Sequence, residues 1–181
     1  MCDNYKNICK KGGVILKKHK KEDYYKIDFN IKNNIYDISR IITLELYDLL
    51  FQLNKEHIED MKIIEEKNNS KKIMIYFKPV GKEFGIKNKY MFIDTHLHEE
   101  NNMKKIIANN VECDLDIKKG YEMMKNDYFE LNMNIEDKHN VPFECIFKIS
   151  IDDDLPIYMK DFTGMLIKKM FLNLKVFIEK I

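Results

Sequence analysis

From Leu155 to Ile181 the apolar residues recur every three or four positions: Phe162, Leu166, Met170, Leu174, Phe177 or Ile178, and Ile181. Lys168, Lys169, Lys175 and Lys180 fall on the other side. This is the period of one helix face, and Asp161 or Thr163 is placed to cap its first turn. An apolar stripe along a long helix is stable only against a second apolar layer. The fold is therefore limited to whatever surface the rest of the chain can offer that helix.

The rest of the chain offers strands. Tyr25, Ile27, Phe29 and Ile31 alternate with polar partners, the mark of a half-buried strand. Ile73, Ile75 and Phe77 repeat the pattern until Pro79 stops it, and a hairpin around Gly81–Gly85 leads to a strand at Tyr90–Asp94. Further strands are expected at Val111–Lys118, with Val111, Cys113, Leu115 and Ile117 on its core face, at Phe129–Ile135 and at Phe143–Ile151. Gly12-Gly13 marks a turn, Val14-Ile15-Leu16 a short strand, and Lys17–Lys21 a hairpin tip. Polar linkers between the strands suit an antiparallel arrangement better than βαβ units.

One segment breaks the rhythm. From Ile35 the period lengthens, through Ile38, Ile42, Leu46, Leu49 and Leu53, and predicts one helix from about 35 to 53, with Asn33-Asn34 offering its cap. Residues 56–66 read either as a shorter helix or as an approach to a strand at Met61–Ile64. Residues 1–12 are polar and basic and read as a flexible lead-in, leaving residues 13–181 as a single α+β domain.

Composition narrows the function. Lys+Arg 31 against Asp+Glu 30 leaves no basic excess of the kind that duplex nucleic acid attracts. Arg40 is the sole arginine, which argues against a surface built to grip many phosphates in bidentate fashion. The abundance of Lys, Asn, Ile, Tyr, Phe and Met reads as an AT-rich genome. Cys2, Cys9, Cys113 and Cys145 fit neither a CxxC pair nor a disulfide scaffold, and no apolar run approaches a membrane span, so a reducing, cytoplasmic setting is expected.

Motifs for chemistry are few. Met91–His98 resembles the metal-binding first strand of amidohydrolases and TatD-type nucleases, where an HxH pair turns two imidazoles towards a metal. That fold needs a (β/α)₈ barrel of about 250 residues, and the stretch after His98 is too short and holds His139 as its one further histidine. Glu65-Glu66 and Glu99-Glu100 sit in polar turns, Asp152-Asp153-Asp154 cannot all face one ion, and no glycine-rich phosphate loop exists. No enzyme activity, metal or cofactor is expected.

The order of elements carries a resemblance: a strand, a helical segment, five antiparallel strands and a long terminal helix. With the ending Ile151-Asp152-Asp153-Asp154-Leu155-Pro156-Ile157-Tyr158, followed by Leu166, Met170 and Leu174, it resembles the helix-grip fold of the START/polyketide-cyclase-like superfamily. The resemblance implies a curved antiparallel sheet of about six strands, an N-terminal helix and a terminal helix, with an apolar cavity between sheet and helix. It further implies binding of a lipid or other hydrophobic small molecule, and Phe77, Phe92, Leu131, Met133, Phe147, Leu166 and Met170 are the candidate lining.

Two alternatives belong to other classes. An OB-fold barrel with flanking helices would bind single-stranded DNA, using Lys20, Tyr24, Lys26, Tyr76, Lys78 and Tyr90 as an interleaved basic and aromatic surface. A non-catalytic subunit of a larger assembly would instead present the terminal helix to a protein partner.

Overall fold

Alternating side chains build most of the molecule. The computed structural model describes residues 4–79, 87–112, 115–150 and 157–181. In chain order the elements are β1 (Tyr5–Lys11), β2 (Val14–His19), β3 (Tyr25–Lys32), α1 (Ile38–Ile41) and α2 (Leu46–Leu53). Then come β4 (Ile58–Lys67), β5 (Ser70–Phe77), β6 (Asn88–Glu100), β7 (Met103–Asn110) and β8 (Tyr121–Met123). The chain closes with β9 (Lys125–Asn134), β10 (Asn140–Ser150) and α3 (Ile157–Lys180). The expected hairpin at Gly81–Gly85, Cys113, and the chain from Ile151 to Pro156 lie outside the described residues.

One 10-stranded sheet runs β1-β2-β3-β10-β9-β7-β6-β5-β4, with β8 alongside β6. All neighbours in that run are antiparallel, and β8 is the parallel exception. The strand count corrects the expected six. Among the described residues β1 and β4 pair on one side only, so this is an open sheet and not the closed five-stranded barrel of the OB alternative. The helices lie against one face, which suits the helix-grip expectation.

Each missed strand has a physical reason. β1 forms from the polar lead-in because its backbone pairs with β2 through the Gly12-Gly13 turn. Both glycines there have positive φ, the conformation a tight hairpin needs. Residues 56–66, read as either a shorter helix or the approach to a strand at Met61–Ile64, belong from Ile58 onward to the edge strand β4, whose wet side keeps its apolar pattern faint. β7 was hidden by a buried lysine: its inward residues are Lys104, Ile106 and Ala108, and the first breaks the apolar alternation. The described residues between Val111 and Lys118 form no strand and instead cover the outer face of the sheet, where Val111 and Ile117 rest on Met74, Tyr76, Tyr90 and Phe92.

The helix expected over 35–53 is broken in two. Asp37, not Asn33-Asn34, caps α1, its carboxylate accepting from the Ser39 N–H at 3.0 Å. The chain then leaves helical geometry at Ile42, and the Thr43 hydroxyl accepts from the Glu45 N–H at 3.2 Å. The freed carbonyls of Ser39 and Ile42 accept from the buried ammonium of Lys104, at 3.0 and 3.2 Å. Glu99 balances its charge at 2.7 Å. A cation reaching orphan carbonyls makes the break affordable without water.

In α3 the buried line is Gly164, Phe171, Leu174 and Ile178, rotated from the expected stripe. Lys168, expected outside, is buried, while Phe162, Phe177 and Ile181 are exposed. Gly164 permits the close approach: a β-carbon there would stand 3.1 Å from the Tyr25 ring. Asp161 anchors the same turn, accepting from the Tyr25 hydroxyl at 2.7 Å and from Lys18 at 3.1 Å. Farther along, Asn173 donates to Asn54 at 2.9 Å and ties α3 to the end of α2.

Candidate functional site

On the helix face, the apolar surface divides into two regions. Beneath the C-terminal two-thirds of α3, residues from β2, β3, β9 and β10 join α1, α2 and α3 in a continuous core. Over β4, β5, β6 and β7 a second cluster forms around Ile58, Ile73, Ile75, Met91, Ile93 and Ala108. Between that cluster and the helices lies a cavity of about 200 Å³.

The elements supply its walls in turn. Ile75 and Phe77 come from β5 and Met91 and Ile93 from β6, on the face that period-two alternation turns towards the helices. Tyr47 and Leu50, one helical turn apart, descend from α2. Phe162, Leu166, Ile167 and Met170 come from α3. A residue three or four positions on from another shares its face, so α3 carries two seams, one closing the core and one facing the cavity. This is why its apolar residues read as a single broad stripe.

Of the residues expected to line an interior site, Phe77, Leu166 and Met170 border the cavity. Leu131, Met133 and Phe147 do not; they are sealed in the continuous core beside it. Phe92 lies on the opposite face of the sheet, packed with Met74, Tyr76 and Tyr90. Both faces of β5 and β6 are buried, so their sequences Ile73–Phe77 and Tyr90–Ile93 are continuously apolar and alternation could not say which face held the cavity. Tyr47, Met61, Met124 and Asn126 border it without having been anticipated.

Polar groups are sparse and placed unevenly. The exposed Lys78 and Lys87, with Lys89, border the cavity, and Glu122 pairs with both Lys87 and Lys89, the latter at 3.3 Å. The Lys87 hydrogen bond holds the Glu122 carboxyl below its ordinary range. Deeper in stand the Tyr47 hydroxyl and the Asn126 side chain. Burial raises the Tyr47 phenol pKa well above its usual value, so the group is neutral. Among the described residues that border it, none is a carboxylate, thiol or histidine.

The other candidate constellations do not assemble. His96 and His98 share a face of β6 with ring centroids 6.4 Å apart, and His96 lies 3.3 Å from Asp94. Among the described residues no group of three or more His, Cys, Asp or Glu side chains is arranged to hold a metal. The basic and aromatic set is dispersed: Lys20, Tyr24 and Lys26 lie on or before β3, whereas Tyr76 on β5 is five strands away across the sheet and Tyr90 on β6 is four. Tyr76 and Tyr90 are buried against Tyr121 and Val111, Lys26 is paired with Glu144, and Lys78 is exposed at the end of β5. These six residues form no common surface.

The arrangement has parallels among solved structures. The lipid transfer and protein localization domain of human StarD13 matches with a TM-score of 0.78 over 98% of this chain and 90% of that one, at 10% identity. Human StAR-related lipid transfer protein 5 gives a TM-score of 0.74 over 97% and 86%, at 12% identity. A STAR-related lipid transfer protein from Xanthomonas axonopodis gives 0.71 over 96% of each chain, at 12% identity. No family model and no curated protein sequence matches. The likeness is one of fold: an antiparallel sheet gripping a C-terminal helix, as in START-type domains.

Proposed function

We propose that this START-like helix-grip domain binds a lipid or other hydrophobic small molecule in the cavity between β4–β7, α2 and α3, and carries out no chemistry on it. The observation that supports this reading most is the cavity of about 200 Å³ with its almost wholly apolar wall. Withdrawing each 100 Å² of apolar ligand surface from water is worth about 2.5 kcal/mol, so such a wall favours a greasy occupant and gives little to a polar one. Met61, Met91, Met124 and Met170 supply unbranched, polarizable side chains that repack around ligands of differing shape. Phe77, Leu166 and Met170 are assigned as contacts in this reading, together with Tyr47 and Phe129. No helix of the described residues is long and apolar enough to cross a membrane.

Native mass spectrometry of the purified protein, before and after organic extraction, tests this. The expected result is a mass surplus over the 21.8 kDa chain that extraction removes and added lipid restores. A protein that is bare when isolated and takes up no apolar compound afterwards would contradict it.

A further inference from the structure

Asn126 should not face the helices. Along β9 the odd-numbered Phe129, Leu131 and Met133 point to that side, which assigns even-numbered residues to the other face. A register shift intervenes: Tyr128 lies opposite Lys148, but Asn126 lies opposite its immediate neighbour Ile149, so Asp127 is the extra residue of a bulge. The bulge exchanges the faces and turns Asn126 inward, where it is 3% exposed and borders the cavity. Asn110 steadies the distorted backbone, its side-chain oxygen accepting from the Asn126 N–H at 2.9 Å.

The orientation of the Asn126 amide is fixed. Its Nδ2 donates to the carbonyl of Ala108 at 2.9 Å; the flipped amide would set two oxygens against each other. Oδ1 is therefore an acceptor, and this buried atom has no hydrogen-bond partner in the protein. The same holds for the buried hydroxyl of Tyr47 on the α2 wall. Unpartnered buried polar atoms destabilise a fold, and two of them bordering one apolar cavity need a common cause.

We infer that Asn126 and Tyr47 are the polar anchors of the cavity, selecting an uncharged lipid that carries a hydroxyl group. The ligand hydroxyl donates to Asn126 Oδ1, and the Tyr47 hydroxyl donates to a ligand oxygen. Neither anchor is charged, so an ionic headgroup would enter without a counter-charge at that depth, which the desolvation of a buried ion forbids. The inference rests on the lipid-binding reading above and specifies the ligand class for that site.

The test uses two oleoyl lipids that differ at the polar end. Purified protein is incubated with phosphatidylcholine vesicles containing either monoolein, which has free hydroxyls, or methyl oleate, which has none. After the vesicles are removed, bound lipid is quantified by mass spectrometry. The wild type is expected to favour monoolein about tenfold, as the partnering of both anchors would give. Tyr47→Phe and Asn126→Leu should each reduce that preference about threefold. Tyr47→Phe removes only the hydroxyl, so it remains informative if Asn126→Leu, which also loses the Ala108 bond, folds poorly. Equal uptake of both lipids by the wild type, or a preference unaltered in the variants, overturns the anchors while leaving the cavity reading standing. Uptake of neither lipid overturns both.

Discussion

The two halves of the helix face are made of similar residues and differ in how they are closed. In one, Phe29 stacks on Phe143 with centroids 4.8 Å apart, and Phe171 of α3 leans on Phe29 at 5.4 Å. There α3 approaches so nearly that small residues are required: a β-carbon on Gly164 would meet Tyr25 at 3.1 Å, and one on Gly12 would meet Leu172 at 2.6 Å. In the other half, Leu166 and Met170 of the same helix face Ile75, Met91 and Ile93 across the cavity. Apolar composition alone makes a surface that must be covered. Whether it becomes core or container depends on how closely the covering helix can come.

That contrast predicts unequal costs for similar truncations. Phe147→Ala, in the filled half, should lose about 3–5 kcal/mol in denaturant unfolding, because the space it vacates cannot collapse. A loss below about 1 kcal/mol would mean that this half is loosely packed. Lys104→Met should follow at about 1–3 kcal/mol, since it strips two carbonyls of their donor at the break that sets α2 over the cavity. Amide hydrogen exchange should then show α1 and the start of α2 opening first; uniform exchange would contradict the role given to Lys104. Met170→Ala, on the container side, should cost about 1 kcal/mol, less than the 2–5 kcal/mol typical of buried methionine, because one flank already lacks contacts. A full-sized loss there would erase the distinction between the halves.

The smallest effect is expected at alkaline pH. Burial raises the phenol pKa of Tyr47 on the container side and of Tyr25 on the filled side, where Asp161 adds to it; Tyr128 is pushed up to about 12 in the same way. A raised folded value means the stabilising contribution is complete below the ordinary 10.0 and is lost as pH climbs from there through the folded value. Unfolding followed between pH 9 and about 12 should show stability falling, less steeply in Tyr47→Phe and Tyr25→Phe. Identical slopes in variants and wild type would show that neither phenol is held neutral by the fold.

Legibility in the sequence followed burial. Strands with one wet face, such as β3 and β10, announced themselves through alternation, and the 24-residue terminal helix through its three- and four-residue spacing. β7 was hidden by Lys104, a charge turned inward to serve carbonyls far away in sequence, and the break between α1 and α2 was hidden with it. The site was partly legible. Phe77, Leu166 and Met170 lie on faces that periodicity identifies, but Phe92 belongs to a strand buried on both sides, where periodicity loses its meaning. Asn126 was not legible at all. Its direction depends on a bulge, and an extra residue in one strand shows only against the partner strand.

If the half-filled side of the sheet is a container, filling it with protein should leave no room for lipid. Ala108 on β7 borders the cavity, and Ala108→Phe would place a ring in the space with nothing removed elsewhere. The most direct measurement compares the lipid that co-purifies with wild type and with Ala108→Phe, alongside their melting temperatures. The expected result is a lipid-bearing wild type and a lipid-free variant that melts no lower than the extracted wild type. Equal lipid in both proteins, or a variant that carries none but melts well below the extracted wild type, would contradict it.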